Sequence, residues 1–401
     1  MDLLEFLNGG LLQLAWWQVL LVVLAMTQLT IAGVTLYLHR SQAHRALDLH
    51  PAVAMVFRVW LWMSTGMLTH EWVAIHRKHH AKCETPEDPH SPQTRGIRTV
   101  LLRGAELYRA EAENPETIAR FRHGTPTDWV ERRVFTRFPW QGLALMLILN
   151  VALFGAIGVA IWALQMMWIP IHAAGVINGI GHFWGYRNFE APDASTNITP
   201  IGFWIGGEEL HNNHHTFPTS AKFSVKWYEF DIGWVYIRCL SAVGLCTVLR
   251  RAPVPKMAEP KGAVDGETLQ AVIANRYDLL AKYAQELRRT YKQELQRLGD
   301  APVVERARQL SLKRWLKSPK LEALPADQQG ALRELMAHSK AMHTLVEMRA
   351  ELAAIWERTS NSREQMLVHL QDWIVRAEAS GIRALQDAAL RIRRYRLVPA
   401  A

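Results

Sequence analysis

Two stretches of this chain hold no charged residue over a length that could cross a bilayer. Residues 11–38 hold none over 28 positions, and residues 141–186 hold none over 46. A membrane helix needs about 20 predominantly apolar residues. The pattern therefore predicts one span over about 12–38 and a hairpin of two over about 141–162 and 165–187. Two further apolar stretches are interrupted, 51–69 by Arg58 and 230–249 by Arg238. An arginine at mid-membrane costs at least a few kcal/mol, so both read as amphipathic helices lying in the interface. Residues 251–267 are rich in Pro, Gly and charge and read as a linker. From 268 to 401 apolar residues recur at helical spacing, as at Ile273, Tyr277, Leu280, Ala284, Leu287 and Tyr291, and predict a helical carboxy-terminal extension.

The fold class expected from this pattern is an all-α integral membrane protein: about three transmembrane helices plus interfacial helices in residues 1–250, followed by a soluble helical extension. Asp2 and Glu5 deny the amino terminus the basic character of a secretion signal, so the first span reads as permanent. Arg40 and Arg45 follow that span, while Arg132, Arg133, Arg137 and Arg187 flank the hairpin. Positive-inside bias puts the amino terminus outside and the polar loops and carboxy terminus in the cytoplasm. Cys83, Cys239 and Cys246 form no C-x-x-C pair, which suits a reducing compartment without a disulfide framework. Most of the net charge of +9 lies in the tail, where residues 256–401 hold 25 Lys/Arg against 18 Asp/Glu. With no nucleic-acid motif beside it, that charge reads as a solvated helical face or a surface for an anionic membrane or acidic partner, not for nucleic acid.

The histidines change the picture. Of 17, only His338, His343 and His369 lie in the tail. The first 250 residues hold three boxes: His39 and His44; His76, His79 and His80; and His211, His214 and His215. Asn178 and His182 follow at i and i+4 on the last span. On a helix His76 and His80 diverge by about 40° and His79 and His80 by about 100°. One face can thus serve two centres a few ångströms apart, one imidazole each. His39 and His44 diverge by about 140° on a straight helix, so either the helix ends there or the two approach a site differently. Doubled His-His pairs suit a dinuclear metal site. Imidazole alone does not choose among Zn, Cu, Fe and Ni. A structural zinc site closes with four ligands and usually recruits Cys, whereas nine clustered imidazoles at a bilayer surface suggest chemistry on an apolar substrate. Breaking an unactivated C–H bond needs an oxidant such as activated dioxygen, which points to iron.

The sequence resembles the membrane-bound fatty acid desaturases, most of all the stearoyl-type branch, over roughly residues 12–250. The resemblance rests on H-x4-H at 39–44, H-x2-H-H at 76–80, "EDPHSP" at 87–92, N-x3-H at 178–182, "GYRNFE" at 185–190 and "GEELHNNHHTFP" at 207–218. It implies two irons held by His39, His44, His76, His79, His80, His182, His211, His214 and His215, with Asn178 holding one through a water. It further implies oxygen-dependent introduction of a cis double bond, at carbon 9, into saturated C16 or C18 acyl chains, carried by CoA or by membrane phospholipid, at the bacterial inner membrane. Two departures bear on the carrier. The animal acyl-CoA enzymes begin with a hairpin of two spans, but only 38 residues precede His39. They also carry Arg-Asp before the second box, where this chain has Ala74 and Ile75. Both favour phospholipid-borne chains.

No flavin fingerprint, haem C-x-x-C-H or ferredoxin-like Cys run is present, so the electrons are expected from a separate ferredoxin- or cytochrome-type donor with its reductase. Counting back from His39 places Thr35, Ile31 and Thr27 on its helix face as candidate walls of an acyl tunnel, with Trp72 near the second box. Two alternatives stand beside this reading: a di-iron lipid or alkane hydroxylase, which would insert oxygen, and a non-catalytic metal-dependent membrane sensor or scaffold.

Overall fold

The computed structural model describes residues 2–299, 301–308, 310, 325–357 and 362–397, so parts of the 268–401 extension lie outside the described residues. In chain order the elements are α1 (Leu3–Gly9), α2 (Trp16–Ala32), π1 (Gly33–Ala43), β1 (Leu47–Leu49), α3 (Pro51–Ser64), α4 (Thr69–Lys82), α5 (Pro92–Arg95), α6 (Ile97–Ala112), α7 (Pro115–Phe121), π2 (Glu131–Phe135), α8 (Pro139–Phe154), α9 (Ile157–Ile169), π3 (Pro170–Ile177), α10 (Asn178–Ile180), β2 (Ile201–Gly202), α11 (His211–Thr216), β3 (Phe230–Asp231), α12 (Ile232–Ala242) and β4 (Cys246–Val248). Then follow β5 (Lys256–Met257), α13 (Gly266–Ala274), α14 (Arg276–Leu298), α15 (Pro302–Arg308), α16 (Ala326–His338), α17 (Lys340–Glu357), α18 (Arg363–Ala379), α19 (Arg383–Arg394) and β6 (Tyr395–Arg396). The strands form three two-stranded ribbons, β1 with β4 and β5 with β6 antiparallel, β2 with β3 parallel. The chain divides into two compact units, 1–187 with 193–252, and 188–192 with 253–401.

In the first unit, α2 and π1 run on as one 28-residue apolar helix from Trp16 to Ala43. Its first half exposes Leu20, Leu21 and Leu24, whereas its second half is buried almost throughout. The uncharged 141–186 stretch folds as α8 followed by a 24-residue apolar helix, Ile157–Ile180. The turn falls at Gly155, not near residue 163 as the length argument placed it. Gly155 has φ +71°, and a Cβ there would lie 2.5 Å from the Phe6 carbonyl of the amino-terminal segment. Only glycine accepts both the conformation and the approach; an uninterrupted apolar run gives no charge to mark the place.

Helices α3 and α4 meet at 90°. Pro51 opens α3, where a missing N–H costs nothing. Arg58, which argued for an interfacial helix, is buried rather than turned to water: its guanidinium donates to Asp128 and to Glu131 on π2 at 2.9 Å. The charge is neutralised within the unit, so its cost no longer decides where α3 lies. The bent pair returns the chain to the first box, and His44 and His76 sit with ring centroids 4.9 Å apart.

The second unit is a helical bundle with a core that includes Leu279, Tyr283, Leu287, Leu335, Leu352, Trp373 and Ile392. Of the expected apolar stripe, Leu280, Ala284, Leu287 and Tyr291 are buried, whereas Ile273 and Tyr277 are partly covered. At the basic end of the bundle Arg394 is exposed, as a solvated face requires, but several of these arginines also bind within the unit. Arg393 pairs with Glu378 and donates to the Lys261 carbonyl, and Arg394 and Arg396 donate to the carbonyls of Ala258 and Glu259. These arginines staple the 256–262 segment onto the bundle.

Candidate metal centre

Local structure answers how His39 and His44 can aim together. They lie on π1 or at its end, and the His44 amide donates to the His39 carbonyl at 3.1 Å, an i→i+5 bond. That wider turn brings residues five apart over one another, and the two ring centroids are 5.0 Å apart. The second box occupies the last turns of α4 as the spacing predicts, and the third forms the short helix α11. The eight box imidazoles and His182 separate into two groups. His39, His44, His76, His80 and His214 form one, their candidate ligand atoms within 4.8 Å of one another. His79, His182 and His215 gather in the other, where the His182 and His211 Nε2 atoms lie 2.9 Å apart. The adjacent pairs split as the helical arcs require: His80 and His214 face the first centre, His79 and His215 the second. His80 and His215 stack between them at 4.3 Å.

Carboxylates stand behind the rings. Asp88 lies 3.0 Å from Nδ1 of His79, Glu84 3.0 Å from Nδ1 of His182, Asp193 3.1 Å from Nδ1 of His215 and Glu208 2.8 Å from Nδ1 of His39. A carboxylate accepts, so beside Asp88, Glu84 and Asp193 the imidazoles of His79, His182 and His215 donate from Nδ1 and turn a lone pair out at Nε2. The Nε2 atoms of His79 and His182 are then two lone pairs facing each other at 3.2 Å. Nε2 of His215 is buried without a hydrogen-bond partner among the described residues. This arrangement is repulsive unless a cation lies between the rings, so the donor set fits a pair of metal ions. Burial, with the neighbouring imidazoles, pushes His44, His211, His214 and His215 well below the usual imidazole value, which leaves them neutral and ready to ligate at pH 7. Burial raises Glu208 to about 8 despite the nearby Arg40 guanidinium. Asp88 is held well below the usual carboxylate range: burial opposes this, and the His79 ring and the His90 amide overcome it.

Cys83 lies on the second centre's margin, 3.9 Å from Nδ1 of His182, the edge of the ring turned away from the other imidazoles. Burial and the carboxylates Asp193, Glu84 and Asp88 push its thiol up, so it stands as a protonated neighbour. Asn178 is half-buried at the start of α10, four residues before His182. Of the candidate tunnel residues, Trp72 stacks on His76 at 4.8 Å and meets His39 edge-on at 5.8 Å. Thr35 donates to the Gly206 carbonyl and to Glu208, and Ile31 is buried one turn earlier. Thr27 accepts from Gln165, whose side-chain oxygen takes a bond from Thr30. "EDPHSP" and "GEEL" already singled out Asp88 and Glu208 as motif positions. Nothing in the local sequence marks Glu84 or Asp193 as ring partners.

Residues 14–240 match the Fatty acid desaturase family model. A probable chloroplastic lipid desaturase of Arabidopsis thaliana is 30% identical over 57% of this chain, and the chain spans 62% of that relative's length. The sn-1 stearoyl-lipid 9-desaturase of Anabaena variabilis is 30% identical over 55% of the chain and 79% of its own length. A hex-5-enoyl-[acyl-carrier protein] acetylenase of Moorena producens (strain JHB) is 29% identical over 62% of the chain and 83% of its length. Separately, residues 270–397 match a Transposase family model; among the described residues every group of side chains able to hold a metal lies in the first unit. With a family match over more than half its length and its histidines gathered at two centres, the chain belongs to the fatty acid desaturase family and is an oxidoreductase of the desaturase class.

Proposed function

We propose that this chain is a membrane-embedded, di-iron, oxygen-dependent desaturase that places a cis double bond, at carbon 9, in saturated C16 or C18 acyl chains carried on membrane phospholipid. The observation that carries the reading is the convergence of nine imidazoles, four of them backed by carboxylates, into a five-His and a four-His group. Iron held there supplies the activation of dioxygen that removal of hydrogen from unactivated methylenes demands. His39, His44, His76, His80 and His214 would hold one ion, and His79, His182, His211 and His215 the other, with Asn178 reaching the second through a water. Glu84, Asp88, Asp193 and Glu208 fix the tautomers and the ring directions. Trp72, packed flat on His76, supplies an apolar wall at the first centre. Two electrons come from a separate ferredoxin- or cytochrome-type donor and its reductase.

Two residues before the second box support phospholipid as the carrier. Ala74 and Ile75 are apolar and fully buried, so these positions offer nothing to an anionic CoA head group. Several relatives are acyl-lipid desaturases by name, which agrees. Lipid analysis of cells expressing the chain, with a His214→Ala chain as control, tests the reading. New monounsaturated chains in the phospholipid fraction are expected from the parent only. Hydroxylated products, or an unchanged lipid profile from an iron-loaded protein, would refute it.

A further inference from the structure

Outside the metal centre, the first unit displays aromatic side chains on two turns that β2 and β3 join. Phe203 and Trp204 follow β2, and Trp227 and Tyr228 precede β3, with Phe230 on the strand itself. Trp204 is 60% exposed and Trp227 95% exposed. These turns are held rigidly. Glu209, buried two residues before His211, accepts the amides of Trp204 and Ile205. Glu229, also buried, accepts the amides of Val225 and Lys226 and a bond from Asn213, which lies between His211 and His214. Two buried carboxylates thus anchor the turns to the helix that carries the third His box. Exposed indoles on such fixed supports are displayed, not frayed.

Their depth can be read from α2 and π1. The amino-terminal end of that helix exposes Trp16 and Trp17, the residue type that marks a membrane–water boundary. A hydrocarbon core about 30 Å thick takes about 20 residues at 1.5 Å each, which puts the opposite boundary near Leu36. There the ribbon is pinned. A Cβ on Gly206, at φ +71°, would lie 2.7 Å from Thr35 Cγ2, and the Gly206 carbonyl accepts from Thr35 and Arg40. Asp231, at the end of β3, pairs with Arg40 at 3.0 Å. From there α12 descends along α2, where Tyr236 donates to Gln28.

We propose that the turns bearing Phe203, Trp204, Trp227 and Tyr228 seat in the headgroup layer of a phospholipid bilayer. The inference rests on the proposed membrane-embedded reading and adds a lipid-binding surface to it. Indole and phenol rings carry an apolar body and a polar tip and settle at that depth. Because both turns are anchored through Glu209 and Glu229 to the segment that carries His211, Asn213 and His214, such a surface would hold the third His box close to bilayer lipid, as an enzyme acting on phospholipid-borne chains needs.

The test is a depth measurement on the full chain in phosphatidylcholine nanodiscs. Nitroxide labels are attached at Trp204→Cys and Trp227→Cys in a Cys239→Ser background, with Leu21→Cys as the bilayer reference and Glu113→Cys, on an exposed loop, as the aqueous one. Power saturation compares access by oxygen, which partitions into lipid, with access by a polar nickel chelate. Labels at both 204 and 227 should favour oxygen, falling between the two references. If either is as open to the chelate as the label at 113 while the label at 21 stays lipid-like, the surface faces water and the inference is overturned, whether or not a protein partner covers it. A chelate-accessible label at 21 would instead refute the membrane span, and this inference would fall with it.

Discussion

Replacing Arg40 by methionine is the sharpest single perturbation the structure offers. Arg40 is fully buried beside the first ligand, His39, and pairs with an equally buried Asp231 at 3.0 Å. It also donates to the carbonyls of Gly206 at 3.0 Å and Ala221 at 3.2 Å, and its guanidinium lies 3.8 Å over the Phe223 ring. Removing one partner of a buried ion pair costs about 3–5 kcal/mol, because the survivor is left as an uncompensated charge. Asp231 keeps the amides of Phe223 and Trp234 as donors, which sets its share near the lower end. The Gly206 carbonyl keeps Thr35 as a donor, and the Ala221 carbonyl, which loses its arginine, adds about 1 kcal/mol. A loss of about 4 kcal/mol is expected, roughly a thousandfold in the unfolding equilibrium. At about 2–4 °C per kcal/mol for a unit of this size, the melting temperature should fall by about 8–16 °C. The damage should reach the metal centre, because Phe223 also packs on His214 at 4.8 Å and on His39 at 5.5 Å. Thermal unfolding of the nanodisc-embedded protein, followed by intrinsic fluorescence, measures the loss. Adding Asp231→Asn to the Arg40→Met chain should restore about half of it, since the lone charge disappears, so the double variant should lose well under the sum of the two singles. A single variant melting within about 2 °C of the parent, or a double variant no better than the sum of the two singles, would refute this account.

Four further outcomes are expected. His214→Ala and His215→Ala should each retain roughly half the bound iron while losing desaturation, because the two rings face different centres; iron analysis showing both ions lost, or both kept, in either variant would contradict the assignment. Asp193→Asn should weaken iron at the second centre by about 10–100-fold, the usual effect of removing a carboxylate behind a ligating imidazole, as chelator competition will show; an unchanged affinity would mean His215 is oriented by other contacts. Gly206→Val should cost a few kcal/mol, since a β-branched residue resists φ +71° and its Cβ would meet Thr35; a melting temperature equal to the parent's would show that the loop can shift away. The metal-free protein should lose stability as pH falls below about 6.5, because burial depresses the folded-state pKa of His44, His211, His214 and His215 and the unfolded chain then binds more protons. Glu208, raised to about 8, acts in the opposite sense, losing stability as pH rises through its window. The four imidazoles outweigh it, so a flat profile below 6.5 would be incompatible with their burial.

The sequence by itself determined whatever follows from spacing along one element. The uncharged runs marked the apolar helices, and the intervals within His76–His80 and His211–His215 fixed which rings share a face and which diverge, because helical geometry is local. Two centres could be read from the doubled pairs for that reason. The π-turn that aligns His39 with His44 was not legible, since the same five-residue interval reads as divergent on an ordinary helix. Only the tertiary structure supplied the ring partners: Glu208 meets His39, and Asp193 meets His215, through packing between distant segments that no periodicity encodes. The same holds for Arg58, whose charge looked prohibitive in an apolar helix until Asp128 and Glu131 closed over it. It holds too for the turn at Gly155, set by the approach of the amino-terminal segment, and for Arg393, Arg394 and Arg396, whose bonds to the backbone carbonyls of the 258–262 segment no spacing shows. Hydropathy and helical period register what a residue is and how far it lies from its neighbours on one element. What neutralises a buried charge, or holds a ring at one angle, comes from another element, and only the folded chain decides which.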